Sequence, residues 1–147
     1  MNSLAPEEDQ NAVEIPVFGR LVAAAFLALA TACATVATRP PEEVVRDRAQ
    51  LRWNALVQGD AKVAYEYFSP GSRANFTLAQ FVSSIKLGFW KAVRVDKVMC
   101  ESADKGKAPD SCEVHVTIEY DYNGMRIATP HRETWIREGS EWWFLRR

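Results

Sequence analysis

The stretch from Cys112 to Tyr122 constrains this chain more than any other. Cys112, Val114, Val116, Ile118, Tyr120 and Tyr122 alternate with Glu113, His115, Thr117, Glu119 and Asp121. A period of two sustained over that length describes a strand with one apolar and one polar face. Asn123-Gly124 follows at once, and both residue types accept the positive φ that a two-residue hairpin turn demands. So short a turn sets the register of the next strand. Tyr122 faces Met125, Tyr120 faces Ile127, Ile118 faces Thr129, Val116 faces His131 and Val114 faces Glu133.

The rest of the chain falls into place around this hairpin. Trp90 to Cys100 reads as a preceding strand, bulged near Asp96-Lys97. Met125 to Arg137 is the third strand, Gly139-Ser140 a turn, and Trp142 to Arg146 the last strand. Upstream the period is helical. Glu42 and Glu43 suit a first turn, where acids oppose the helix dipole, and Val45, Ala49, Trp53 and Leu56 recur along one side up to Gly59. Asp60 is placed to cap a second helix carrying Ala64, Tyr67 and Phe68, which Ser69-Pro70-Gly71 ends. Thr77 and Gln80 form a capping box for a third helix, which buries Leu78, Phe81, Val82 and Ile85 and stops near Gly88. The expected class is α+β: three N-terminal helices packed on a curved four-stranded antiparallel sheet.

Residues 1–32 differ from this domain. Arg20 precedes a run from Leu21 to Ala32 made of apolar and small residues, the grammar of a secretory signal. The ending Leu29-Ala30-Thr31-Ala32-Cys33 resembles the bacterial lipobox, with Ala rather than Leu three positions before the Cys. That resemblance implies lipidation at Cys33 and a mature chain beginning there. Two other readings of this stretch stay open: an uncleaved spanning helix over residues 21–38, and a buried core helix. The Ala- and Thr-rich composition gives the spanning helix little transfer energy, and a core helix would be an apolar cylinder with no polar face. Met1 to Pro16 is acidic, unlike a signal's basic start, and translation from Val17 would leave it out. The expected division is 1–32 signal, 33–41 lipidated tether and 42–147 domain. Ala34 after the Cys, in place of Asp, points to the outer membrane, with the domain facing the periplasm.

From residue 33 onward the chain holds 17 bases and 15 acids, scattered along its length. That balance excludes an electrostatic nucleic-acid footprint. With Cys33 consumed by lipid, Cys100 and Cys112 remain at strand ends flanking a polar loop. An oxidising periplasm permits a disulfide between them. Two buried thiols or a metal site are the alternatives, and no His–Cys spacing supports zinc.

Arg52-Trp53-Asn54-Ala55-Leu56, Gly59-Asp60, Ala64-Tyr65, Phe68-Ser69-Pro70 and the late Trp142-Trp143 resemble the nuclear-transport-factor-2-like (cystatin-like) superfamily. The resemblance spans residues 42–147 and implies a cone of helices on a curved sheet. Ketosteroid-isomerase-like enzymes, polyketide cyclases and many non-catalytic modules share that cone, so it selects no activity. Such isomerases place Tyr and Asp inside the cone. Here Asp121 has the outward phase, and no catalytic residue carries over.

One constellation has catalytic chemistry. His131 and Glu133 share a strand face with the apolar row, and could act as an acid–base pair with Tyr120 or Tyr65 as hydrogen-bond donor. Against this, Pro130 marks an edge or a bulge, and a one-residue slip there would turn both side chains outward. Without a slip the pair could still be solvated, or bound to Arg132 or Arg94. His115 reads as a surface residue. Trp53, Trp90, Trp135, Trp142 and Trp143 could line a cavity or fill a core, and of the adjacent Trp142 and Trp143 one faces out. No metal or other cofactor is indicated. The expected function is a membrane-tethered, non-catalytic module binding an envelope protein or a small apolar ligand. The alternatives are a small-molecule isomerase or cyclase using His131 and Glu133, and a homodimeric assembly component joined through the outer face of its sheet.

Overall fold

In the computed structural model residues 39–146 are described. The expected signal, Cys33 and the tether up to residue 38 lie outside the described residues. The elements run α1 (Pro41–Gln58), α2 (Ala61–Glu66), α3 (Pro70–Asn75), α4 (Leu78–Ser84), then β1 (Trp90–Glu101), β2 (Ser111–Tyr122), β3 (Met125–Glu138) and β4 (Glu141–Leu145). The strands form one antiparallel meander in the order β1-β2-β3-β4.

Among the described residues four helices, not three, precede the sheet. Ser69-Pro70-Gly71 does not merely end α2; it starts α3. The Ser69 hydroxyl accepts the Ser72 N–H at 3.1 Å, and Pro70 sits in the first turn, where a missing N–H costs nothing. Helix α2 stops at Glu66 because the chain there turns to meet β4. Ser69 N–H donates to Phe144 O at 3.0 Å and Phe144 N–H to Tyr67 O at 2.8 Å. Phe68 is thereby carried into the core. Helix α1 opens at Pro41, one residue inside the expected tether, and α4 ends at Ser84, leaving Val82 exposed rather than buried. The expected caps are present: Asp60 accepts from Val63 N–H, and Thr77 with Gln80 makes the full capping box.

The β2–β3 register runs from Tyr122↔Met125 through Val116↔His131 to Ser111↔Ile136 without a shift. Asn123 and Gly124 both take positive φ, 50° and 75°. Pro130 causes no slip, for a geometric reason. The residues closing a two-residue hairpin are hydrogen-bonded to each other, and bonded pairs recur at every second position. Tyr122↔Met125 closes one hairpin and Glu138↔Glu141 the other. Odd-numbered residues of β3 therefore bond to β2, and even-numbered residues direct their backbone groups toward the β4 side. Pro130 is even, and β4 pairs only with residues 134–138 of β3. Among the described residues no strand pairs with the edge on which its absent N–H falls.

The opposite edge is covered at Val93 and Val95. Gln50 of α1 acts as a short strand: its Oε1 accepts Val95 N–H at 3.0 Å and its Nε2 donates to Val93 O at 2.9 Å. One turn earlier, Arg46 donates to Val95 O at 2.9 Å. These bonds sit where β1 shifts register between Val95 and Lys97, as expected from the sequence; a second shift lies between Trp90 and Ala92. The core joins Val45, Ala49 and Leu56 of α1 to Val114, Val116 and Trp135 of the sheet. Phe68 packs edge-on against Phe81 and Phe144 at 5.0 Å each. Cys100 and Cys112, paired across β1 and β2, form a disulfide.

Candidate functional site

His131 and Glu133 lie on one strand in one phase, yet packing separates their chemistry. Glu133 is 4 % exposed. Its Oε1 accepts a hydrogen bond from Arg52 Nη1 at 2.7 Å and its Oε2 accepts one from Trp135 Nε1 at 3.1 Å. Both carboxylate oxygens are thus engaged. Arg52 is equally buried, and its guanidinium lies 3.8 Å from the Phe144 ring centroid. Burial pushes the Arg52 pKa down, and the Glu133 carboxylate opposes that shift through charge and hydrogen bonding. A general base needs a free oxygen that substrate can reach. In Glu133 that oxygen is spent on holding a cation inside the protein.

His131 sits at the margin of this interior. It is exposed, opposite Val116, with its ring edge-on to Trp53 at 6.3 Å. Trp53 in turn meets Trp90 edge-on at 5.6 Å. The structure does not gather the tyrosines around His131. Tyr65 donates its hydroxyl to Phe76 O at 2.8 Å, pinning α2 to the α3–α4 connection. Tyr120 faces Ile127, four residues before His131, which is roughly 13 Å at about 3.3 Å per residue. Its hydroxyl accepts from Thr129 Oγ1 and its ring stacks on Phe89.

Arg52 is the residue that sequence reasoning missed. Its position carried a signal: seven after Val45, three after Ala49 and four before Leu56, it lies on the buried stripe of α1. A charge on such a stripe calls for an opposite charge across the core. The tryptophans serve packing. Trp53, Trp135 and Trp142 are buried. Trp143 is half-buried, with the Arg48 and Arg73 guanidinium carbons 5.4 and 5.3 Å from its ring centroid. His115 pairs with Glu113 on the polar face of β2. Among the described residues no group of His, Cys, Asp and Glu could hold a metal ion, and no helix is long and apolar enough to cross a membrane.

A cleft of about 430 Å³ opens beside the buried pair, lined by His131, Arg132, Thr134, Leu145 and Arg146 among others. It lies where β4 ends and β3 loses its neighbour.

No family model and no curated protein matches the chain. Solved structures do resemble it. A SEC-C motif-containing protein from Psychrobacter arcticus superposes with a TM-score of 0.55 at 13% identity, covering 75% of this chain and 63% of that one. Another, from Rhodopseudomonas palustris, gives 0.50 at 16% identity, covering 67% and 73%. A nuclear-transport-factor-2-like transpeptidase from Campylobacter jejuni is 17% identical with a TM-score of 0.39, covering 69% and 96%. The likeness is one of fold alone. At these identities no activity transfers.

Proposed function

We propose that this chain is a membrane-tethered lipoprotein of the cell envelope whose nuclear-transport-factor-2-like domain is a non-catalytic binding module. In this reading lipid at Cys33 anchors it facing the periplasm, with the outer membrane favoured. The observation that carries the non-catalytic part is the Arg52–Glu133 pair. It occupies the interior where an isomerase-like site would need a free carboxylate, and Trp135, Phe68 and Phe144 fill the space around it. A filled interior favours a protein partner over an enclosed apolar ligand. The disulfide suits an oxidising compartment. A homodimer through the outer sheet face gains less support. Arg94, Asp96, Thr117, Asp121 and Arg126 on that face already bond to one another.

The decisive experiment is the intact mass of protein purified from membranes, before and after reduction. Residues 33–147 plus acyl chains, heavier by two hydrogens on reduction, are expected. An unprocessed chain without lipid overturns the tether. Turnover that vanishes on replacing His131 would overturn the non-catalytic reading.

A further inference from the structure

The sheet has two edges, and they are treated differently. That of β1 is covered at Val93 and Val95 by side chains of α1. That of β3 has no strand beside residues 125–133 in the described chain. The hairpin parity directs the backbone groups of Arg126, Ala128, Pro130 and Arg132 outward there, offering three N–H donors and four carbonyls. The 430 Å³ cleft sits at the head of this edge, with the basic side chains of His131, Arg132 and Arg146 in its lining. Its two carboxylates are engaged: Glu133 by Arg52 and Glu113 by His115. Arg146 lies against the Phe76 ring, and among the described residues neither Arg132 nor Arg146 makes an ion pair.

From an edge without a neighbouring strand and cations without an ion pair among the described residues, we infer that β3 accepts an extended acidic peptide segment of a partner protein, added as a strand along residues 126–132. Backbone groups of the edge hold the main chain of such a segment, and Arg132 and Arg146 in the cleft select its carboxylates. The surface is specific in sign. A basic segment would meet like charge at the cleft. Pro130 removes a single donor and shortens the ladder without abolishing it. This names a partner class for the binding module proposed above and rests on that reading.

The test uses the full chain in detergent and a labelled peptide of alternating Glu and Val, with one of alternating Lys and Val as control. The acidic peptide alone is expected to bind, and to slow hydrogen exchange across residues 125–133. Ala128→Pro deletes an outward N–H without touching the β2 ladder, and should weaken binding at least about ten-fold, as should Arg132→Glu combined with Arg146→Glu. Absence of binding, equal binding of the basic peptide, or unchanged binding by Ala128→Pro overturns the proposal; in the last case the surface is merely electrostatic. Should Ala128→Pro fail to fold, exchange in the unaltered chain decides, since docking that leaves residues 125–133 unprotected is not strand addition. None of these outcomes bears on the lipid anchor, which the intact mass tests separately.

Discussion

Arg52 Nη1 lies 2.7 Å from Glu133 Oε1, joining two residues 81 positions apart with both side chains almost wholly withdrawn from water. The pair ties α1 to β3 through the centre of the domain. A buried ion pair of this kind adds little net stability, because desolving two charges cancels most of their attraction. Removing one member is another matter, since the survivor is left charged and unpartnered in the core.

Glu133→Ala and Arg52→Ala should each destabilise the fold by about 3–5 kcal/mol, whereas Arg52→Met combined with Glu133→Leu should recover most of the loss. Urea denaturation of the three variants measures this. Single variants within about 1 kcal/mol of the parent would show that the charges are not coupled.

Tyr65→Phe should cost about 1–2 kcal/mol, because Phe76 O loses its donor in a half-buried setting. Tyr120→Phe should cost much less, since its hydroxyl partner Thr129 is exposed. Thermal unfolding of the two variants side by side gives the comparison. A catalytic role for Tyr65 would show in turnover without a change in stability.

The Cys100–Cys112 bridge closes a short loop between positions 12 apart. In the chain-entropy model, its reduction should remove about 3 kcal/mol. Unfolding midpoints with and without reductant should differ accordingly, and Cys100→Ser with Cys112→Ser should abolish that dependence on reductant.

Stability should fall in acid through Asp96 and Asp121. The Thr117 hydroxyl and the Arg94 guanidinium hold the Asp96 carboxyl below its usual range, and Arg126 does the same for Asp121. A carboxylate with a depressed folded-state pKa contributes stability that is complete above its unfolded value, about 3.9, and is lost as pH drops through the folded value. Unfolding midpoints should therefore hold near neutrality and decline below about pH 4. Asp96→Asn should flatten that decline; an equally steep one would assign it to other groups.

Legibility in the sequence followed the range of the interaction. The capping box at Thr77 and Gln80, the cap at Asp60 and the turn at Asn123-Gly124 each involve neighbours along the chain, and all were readable. The same locality misled at Ser69-Pro70. Ser-Pro both stops one helix and starts another, and only the hydrogen bonds of Tyr67 and Ser69 to Phe144 show why the chain bends there.

By itself the sequence determined which residues of β2 and β3 share a face and which stand opposite one another. A period of two and a two-residue turn leave one register available. It could not determine what that face would do. Glu133 as a free acid and Glu133 as a buried counter-ion have identical neighbours in sequence, and differ only in whether a guanidinium from α1 arrives above the strand. The docking of α1 decided that, because burial and pairing come from packing across the core, between groups that no local pattern relates.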